Sequence, residues 1–318
     1  MRTICLNQGP FEGAERVATI GVFDGVHAGH QLLIRQVMDE ARRTGLRPMV
    51  ITFDRQPRQL FDSTFRPQVL TTLEEKQAII ESLGIEELVV LPFTKELAAL
   101  TAHDFMEQVL QRQLNVSILI TGYDNRFGRN RQEGFDDYVR YGQEMGIQVL
   151  RGEAEMMADG SCAVSSSVIR QLLAEEGRVD LMPQCLTRYY QLSGRVMPGE
   201  HIGHQLGFPT ANLEPTSADK LIPAPGVYAV WATLEGGSRH AAMMNIGTRP
   251  TFEGHRQTLE VNILGFEGNL YGQTVSITFV KRLREERRFD SPEALVEQLR
   301  CDRETVEHLF HKSSIVNQ

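Results

Sequence analysis

The segment from Gly21 to His30, GVFDGVHAGH, combines three glycines with two histidines that stand three residues apart. The glycines allow the backbone to approach a ligand closely, and a helix that begins beyond them presents unpaired N–H groups to a phosphate. His27 and His30 are able to donate hydrogen bonds to the charge that develops when an α-phosphorus is attacked. The segment therefore indicates phosphate chemistry without a covalent intermediate.

Two other interpretations of this segment stay open at this point. Two histidines at a turn are often only solvent-exposed, and Asp24 together with both histidines would make a partial metal site. No further His, Cys or carboxylate stands nearby at ligand spacing, which makes the metal site the weakest of the three.

Two later segments, 122–128 (GYDNRFG) and 165–170 (SSSVIR), add polar and positively charged groups. The serines precede a predicted helix, where their hydroxyls either cap the helix or bind phosphate. Arginines would supply the positive charge that a phosphate site needs, although a serine there is most often a cap and an arginine solvated. The arginines in question are Arg126, Arg129, Arg131 and Arg170.

Apolar runs alternate with helical patterns along the first half of the chain, and a capping box at 72–75 opens one of the helices. This alternation predicts a doubly wound parallel sheet, which binds ligands at the carboxyl ends of its strands. The predicted strands span 17–23, 49–53, 88–92, 117–121 and 147–150.

From about residue 185 the pattern changes to short alternating segments separated by Gly, Pro and Asn turns, typical of an antiparallel barrel or sandwich. The polar, Pro-containing stretch before it predicts two domains, 1–183 of α/β type and 184–318 of all-β type. A closing helix is expected after Ser291-Pro292.

Composition restricts the class of protein. A length of 318 residues favours two domains, and a net charge of -8 argues against a general nucleic-acid or membrane surface. The first residues lack a signal-peptide core, and no apolar run approaches the ~18 residues of a membrane span. Four dispersed cysteines without a Cys-x-x-Cys pair predict reduced thiols, no structural zinc and a cytoplasmic location.

Taken together, these segments resemble the bacterial bifunctional riboflavin kinase/FMN adenylyltransferases, also called FAD synthetases. That family's adenylyltransferase half has Gly-x-Phe-Asp-Gly-x-His-x-Gly-His followed by Thr-Phe-Asp, Gly-x-Asp-x-x-Phe-Gly and Ser-Ser-Thr-x-x-Arg, here at 21–30, 52–54, 122–128 and 165–170. The second half resembles the kinase module, and the resemblance covers nearly the whole chain. Its matching segments are 207–212, 226–228, 245–252, Glu260 and 270–272.

The chain departs from the family pattern at five positions. Arg55 and Gln56 replace a usual Pro-His pair and Asn125 replaces a Phe, which bears on the fit of the isoalloxazine ring. Ser167 replaces a Thr and keeps the hydroxyl. His204 replaces an Arg and bears on the kinase loop around ATP.

The resemblance implies two reactions that both use ATP and Mg²⁺. In the N-terminal domain the phosphate of FMN attacks the α-phosphorus of ATP to give FAD and pyrophosphate, and in the C-terminal domain the 5'-hydroxyl of riboflavin attacks the γ-phosphorus of a second ATP. The implied partners are riboflavin, FMN and ATP, without nucleic acid, membrane or an obligate protein partner. The alternative is a flavin or nucleotide sensor that has lost one or both activities.

In the first domain the resemblance implies catalytic roles for His27, His30 and Arg170. The residues expected to bind the flavin are Thr52, Phe53, Asp54 and Asn125. The residues expected to bind ATP there are Gly21, Phe23, Asp24, Gly29, Gly122, Asp124, Arg126, Ser165 and Ser166.

In the second domain the resemblance implies that Glu260 is the general base, although its alternation with apolar neighbours would by itself place it in solvent. Thr210 and Asn212 are expected at the magnesium ion and the ATP phosphates, and the stretch 199–207 is expected to close over the nucleotide. The residues expected to bind ATP here are Gly207, Pro209, Thr210 and Asn212.

Overall fold

The computed structural model describes residues 1–4, 13–62, 64–198, 207–251 and 254–316. It divides into two compact units, Met1–Ser166 and Ser167–Gln318. Among the described residues, no helix combines the length and the apolar character needed to cross a membrane.

The first unit is built on a six-stranded sheet in which every paired strand is parallel, as predicted. Its strand order, β1-β4-β3-β2-β5-β6, reverses direction between β2 and β5. In doubly wound sheets the loops that leave the carboxyl ends at such a reversal diverge and form the ligand crevice. The strands are β1 (Arg2–Ile4), β2 (Arg16–Ile20), β3 (Arg47–Phe53), β4 (Glu87–Leu91), β5 (Val116–Thr121) and β6 (Gln148–Arg151).

Local sequence signals explain where the main helices begin and end. The helix α1 ends at Gly45, which adopts a left-handed φ of 76°, and α3 begins with the predicted Thr72–Glu75 capping box. The helix that begins after Thr101 starts as α5 and continues as a π-helical segment over Met106–Gln113. The helices are α1 (Ala28–Thr44), α2 (Pro57–Phe61), α3 (Leu73–Ser82), α4 (Lys95–Ala99), α5 (Ala102–Phe105) and α6 (Phe135–Met145).

The sheet is covered by apolar side chains on both faces. Alternate residues of each strand point to opposite faces, so Ile20 and Ile51 pack in the core that includes Phe105. Val17 and Val50 pack on the other side, in the core that includes α1. Burial on both faces explains why these strands read as continuous apolar runs in the sequence.

The second unit contains a closed six-stranded barrel with the order β10-β11-β8-β7-β12-β9, in which all pairs are antiparallel. This settles the choice between barrel and sandwich. The predicted closing helix, α9, packs on the barrel through Phe310, whose ring lies 4.2 Å from that of Trp231. The elements are α7 (Ser166–Ala174), α8 (Met182–Leu186), β7 (Gln191–Met197), β8 (Ala211–Pro215), β9 (Gly226–Thr233), β10 (Arg239–Thr251), β11 (Gly254–Ile263), β12 (Thr274–Arg284) and α9 (Pro292–Val316).

A buried ion pair links the first residues of β2 and β4 in the first unit. Arg16 Nε donates to Glu87 Oε2 at 2.7 Å, and both residues are almost completely buried. Arg16 Nη1 also donates to the carbonyl oxygens of Ala14 and Leu114. Removing one partner would therefore leave a buried charge without compensation.

We predict that Glu87→Ala lowers the free energy of unfolding of the first unit by about 3–5 kcal/mol. Urea denaturation followed by circular dichroism should show an earlier transition. Fluorescence of the chain's single tryptophan should stay unchanged, because Trp231 lies in the second unit.

The matched control is Arg42→Ala, which removes an exposed pair with Asp39 and should cost at most ~1 kcal/mol. Equal effects of the two substitutions would contradict the importance of the buried pair.

Candidate active sites

The connection between β2 and α1 adopts an unusual backbone conformation. Phe23 and Val26 have φ values of 50° and 38°, in a region that side chains other than Gly rarely occupy, and Gly25 has a φ of 83°. The side chains of Phe23 and Val26 are buried in the core next to α1. Their burial offsets the strain of the turn, and such strain is typical of functional sites.

Contacts around Asp24 hold this turn in place. Asp24 Oδ1 accepts the backbone N–H groups of Leu70 at 2.9 Å and Thr71 at 3.1 Å, while Thr71 Oγ1 accepts the N–H of Gly25. Ser166 Oγ donates to the backbone carbonyl of Asp24 at 2.8 Å. The structure thus brings the predicted residues Asp24 and Ser166 together, and their contact with ATP stays a prediction.

The first predicted histidine is the N-cap of α1. His27 Nδ1 accepts the backbone N–H of His30 at 3.3 Å, so the neutral ring carries its proton on Nε2. Gly29 lies directly beneath this ring, because a Cβ there would come within 3.3 Å of it. His27 is therefore fixed with its ring proton on Nε2, next to the first amides of α1.

The second predicted histidine stacks on the first. The rings of His27 and His30 lie 3.5 Å apart, and Phe23 packs edge-on against His30 at 5.0 Å. Burial, then the neighbouring His27, then Lys76 hold the pKa of His30 well below its usual 6.5. His30 Nδ1 is buried without a hydrogen-bond partner among the described residues, as is typical of an atom that meets a ligand or water.

The alternative of a metal site finds no support among the described residues, where no three His, Cys, Asp or Glu side chains are grouped to hold a metal ion. Asp24 Oδ1 and His27 Nδ1 are both engaged by backbone N–H groups.

A cavity of about 400 Å³ adjoins the start of this turn. It is mainly apolar and aromatic, with two arginines at its border, and Phe53 packs edge-on against Phe93 at 5.4 Å. Such a cavity fits a planar apolar ring that carries an anionic group. Its lining residues are Ile20, Gly21, Val22, Phe53, Pro57, Phe61, Phe93, Leu97, Ala98, Leu100, Phe105, Asn125, Arg126, Phe127, Gly128, Asn130 and Arg131.

The four residues expected to bind the flavin occupy different positions. Phe53 and Asn125 line the cavity, and Asn125 Nδ2 donates to the carbonyl of Ile20 at 2.6 Å. Thr52 Oγ1 donates to the carbonyl of Val22, and Asp54 Oδ1 accepts the N–H of Phe93. Thr52 and Asp54 thus hold the walls of the cavity without lining it.

Of the remaining predicted residues in this unit, Arg126 and Arg131 border the cavity, whereas Arg129 does not. Gly122 follows β5 directly, and Asp124 is exposed. Arg170 lies on α7 in the second unit, and its role stays a prediction.

Several residues around this site carry no signal in the sequence. The ammonium group of Lys76 lies under the turn and donates to the carbonyl of Val22 at 2.8 Å. The acidic stretch that precedes it in α3 reads as a solvated helix, so no sequence signal marks this lysine as buried. The aromatic residues Phe61, Phe93 and Phe127 come from three separate loops and helices, and only the fold brings them together.

In the second unit, strand register brings three polar residues side by side. Glu260 on β11 pairs with Asn245 on β10 and with Asn212 on β8. Directly opposed residues of antiparallel strands share one face, so the three side chains form a row across three strands. All three are half-buried, which places Glu260 out of full contact with solvent.

A second cavity, of about 440 Å³, borders the segment Pro209–Ala211. Asn262 Nδ2 donates to the carbonyl of Pro209 at 2.7 Å and so fixes this segment against β11. Neighbouring residues of a strand point to opposite faces, so Val261 faces the cavity and Glu260 points to the other face of β11. The lining residues are Val196, Pro209, Thr210, Ala211, Val261, Ile263, Phe266, Glu267, Gly268, Asn269, Leu270 and Tyr271.

Some predictions lie outside the described residues. The loop expected to close over the nucleotide lies outside them over 199–206, which includes His204, and so does residue 252 at the end of the segment 245–252. Residues 245–251 of that segment lie on β10. Gly207 is described and is exposed, with a φ of 79°.

Family models match both halves of the chain. A model described as FAD synthetase matches residues 11–168, and one described as riboflavin kinase matches residues 186–310. The bifunctional riboflavin kinase/FMN adenylyltransferase of Escherichia coli strain K12 is 36% identical over 305 residues, which cover 96% of this chain and 95% of that protein.

The chain belongs to the bifunctional riboflavin kinase/FMN adenylyltransferase family. It is an enzyme with both activities, with the FAD synthetase match in its N-terminal region and the riboflavin kinase match in its C-terminal region. The predicted boundary at 183/184 falls in the segment that neither model covers, and it stays a prediction.

Other members of the family have the same extent. The enzyme of the same name from Pseudomonas fluorescens is 36% identical, with 90% of each chain covered, and that from Listeria monocytogenes is 33% identical, with 93% of each covered. A crystal structure described as a macrolide-efflux protein from Streptococcus pneumoniae shares the fold, with a TM-score of 0.86 and 30% identity over 96% of this chain and 98% of that one.

The lowered pKa of His30 gives a prediction for its titration. We expect His30 to stay neutral in the folded enzyme at pH 6.5, because burial opposes its protonation. Its nuclear magnetic resonance signal, identified by its loss in His30→Gln, should titrate with a midpoint below 6.5.

The same shift bears on stability. The unfolded chain takes up this proton near pH 6.5 and the folded chain only at lower pH, so His30 lowers the free energy of unfolding as the pH falls below 6.5. A midpoint at or above 6.5 would contradict the burial of His30.

Proposed function

We propose that the enzyme's two reactions take place at the two sites described above: adenylyl transfer at the turn between β2 and α1, and phosphoryl transfer at the row Asn245–Glu260–Asn212. The observation that carries the first assignment is the partnerless, buried His30 Nδ1 beside the N-terminus of α1. It lies at the reversal of strand order, where doubly wound sheets bind ligands.

In the first site, FMN occupies the aromatic cavity. The isoalloxazine ring lies against Phe53 and Phe93, and Arg126 and Arg131 at the border hold its phosphate. Asn125, where the family pattern has a Phe, removes one aromatic ring from this wall. The cavity borders Gly21 and Val22, so a phosphate at its mouth lies next to the turn that carries the histidines.

The α-phosphate of ATP binds at the N-terminus of α1, where the first amides and His27 Nε2–H donate to its oxygens. A phosphate oxygen of FMN attacks the α-phosphorus, the bond to the bridging oxygen breaks, and pyrophosphate leaves with the electron pair. No proton needs to be removed from the nucleophile. The protein therefore contributes mainly positioning and neutralisation of charge, and Arg170 is our candidate for holding the pyrophosphate.

In the second site the nucleophile is the 5'-hydroxyl of riboflavin, which benefits from a base. Glu260 accepts its proton as the oxygen attacks the γ-phosphorus, and ADP leaves. In this assignment the adenosine part of ATP lies in the cavity beside Pro209. The phosphates extend from there past Thr210, at the start of β8, to the other face of β11, where Glu260 lies.

Thr210 and Asn212 fit a magnesium ion. Thr210 directly precedes β8 and Asn212 lies on it, and each carries a side-chain oxygen, the kind of ligand that Mg²⁺ prefers. When bound, the ion would neutralise phosphate charge and orient the γ-phosphate.

The substrates riboflavin, FMN and ATP are small molecules, and we place the enzyme in the cytoplasm, where ATP is available. The net charge of -8 supports a protein without nucleic-acid or membrane partners. Among the described cysteines, Cys162, Cys185 and Cys301 are free thiols, in agreement with a reducing compartment.

Glu260→Gln should abolish FMN formation from riboflavin, with a loss on the order of 10²–10⁴-fold, because the amide cannot accept the proton. FAD formation from supplied FMN should be unchanged. The matched control is Glu214→Gln on the exposed side of β8, which should leave both reactions intact. A Glu260→Gln enzyme that phosphorylates riboflavin at the normal rate would refute the assignment.

His30→Ala should have the reverse effect and lower FAD formation from FMN by about 10²–10³-fold, as expected for the loss of one preorganised donor. Phosphorylation of riboflavin serves as the internal control in the same chain. His103→Ala, on α5 beside Glu144, is the matched control on the first unit. Normal FAD formation by His30→Ala would exclude His30 from the site.

A further inference from the structure

A lysine that no sequence signal marks lies under the turn between β2 and α1. Lys76, on α3, is almost completely buried. Its Nζ donates to the carbonyl of Val22 at 2.8 Å and to Thr52 Oγ1 at 3.3 Å, while Thr52 Oγ1 itself donates to the same carbonyl. One ammonium group thus links the strained turn after β2 to the end of β3.

Lys76 interacts electrostatically with ionisable groups from three other segments of the chain. The carboxylates of Asp24 and Asp54 favour its charged form, and its charge in turn opposes the protonation of His30 on α1. Burial outweighs the two carboxylates and lowers the pKa of Lys76 to about 8. At neutral pH the ammonium group is still charged.

The buried charge does not serve stability. The unfolded chain holds this proton up to about pH 10.5, whereas the folded chain releases it near pH 8, so folding becomes more favourable as the pH rises between these values. At neutral pH the folded protein keeps the ammonium group at a net cost. An apolar side chain of similar length would fill the same space without that cost. The Val22 carbonyl would still accept a hydrogen bond from the hydroxyl of Thr52.

We propose that Lys76 is a positioning residue for adenylyl transfer: its ammonium group fixes the turn that presents His27 and His30, and places a positive charge directly beneath the phosphate site. This inference rests on the assignment of adenylyl transfer to the first unit. It adds a fixed cation beneath the turn, whereas Arg126 and Arg131 line the flavin cavity.

Two variants of Lys76 separate its possible roles. Lys76→Met keeps the length of the side chain and removes both charge and hydrogen bonds, whereas Lys76→Gln keeps a donor and removes only the charge. Both should lower kcat for FAD formation from FMN by about 10- to 100-fold, with a smaller change in KM, because the turn and the charge act on the transferring phosphate. Lys95→Met, an exposed lysine on α4, is the matched control and should change nothing.

Three further measurements distinguish positioning from mere structural support. Thermal unfolding of both variants should begin no lower than in the unchanged enzyme, riboflavin phosphorylation should be normal, and the titration midpoint of His30 should move to higher pH. Normal kcat in both variants would overturn the proposal. So would a loss of kcat that accompanies a lower melting temperature without movement of the His30 midpoint. If the enzyme without any substitution makes no FAD from FMN, the assignment of adenylyl transfer to the first unit is wrong, and the role of Lys76 is wrong with it.

Discussion

The Asp24 carboxylate, which accepts the backbone N–H groups of Leu70 and Thr71, fixes the turn on which the proposed site of adenylyl transfer depends. The turn places Phe23 and Val26 in a left-handed conformation and directs α1 so that its N-terminus lies at the edge of the sheet. Such a backbone persists only where the surroundings over-determine it. Here the surroundings are the segment before α3, the buried ammonium group of Lys76 and Ser166, the first residue of α7.

The two units solve the same chemical problem with different architectures. Both must hold several phosphate groups of ATP next to a nucleophile in a chain of net negative charge. The parallel sheet supplies a helix N-terminus, two stacked histidines and cations at its carboxyl edge. In our proposal the barrel instead supplies a row of oxygen-bearing side chains fixed by strand register, with Glu260 at its centre. The first reaction needs no base, whereas the second involves a hydroxyl nucleophile that benefits from one.

Much of this arrangement follows from the sequence, because the main elements carry strong local signals. The strand–helix alternation and the capping box at Thr72 predicted the doubly wound sheet and the start of α3, and the structure confirms them. The strands β1 and β8 and the short helices were missed, since three to five residues carry too little periodicity. Which of the two all-β folds forms depends on long-range pairing, which no local pattern records.

The sites were predicted less completely than the fold. Motif spacing indicated His27 and His30, and the family resemblance implied the segment 207–212 and the flavin contacts of Thr52 and Asp54. In the structure the polar atoms of Thr52 and Asp54 hold the walls of the cavity and do not line it. Whether they touch the flavin stays a prediction. The burial of Lys76 could not be predicted, because a lysine on an amphipathic helix is ordinarily solvated. Only the packing of α3 under the turn buries it.

The most direct test of this account follows both flavins and both products of ATP in one time course. The purified enzyme is incubated with riboflavin, ATP and Mg²⁺, and a parallel reaction receives FMN. We predict that FMN appears first with one ADP for each FMN, and that FAD follows with one pyrophosphate for each FAD; supplied FMN should give FAD and pyrophosphate without ADP. Formation of FAD with release of ADP in place of pyrophosphate would contradict adenylyl transfer at the first site. Binding of either flavin without any conversion would show a sensor in place of an enzyme.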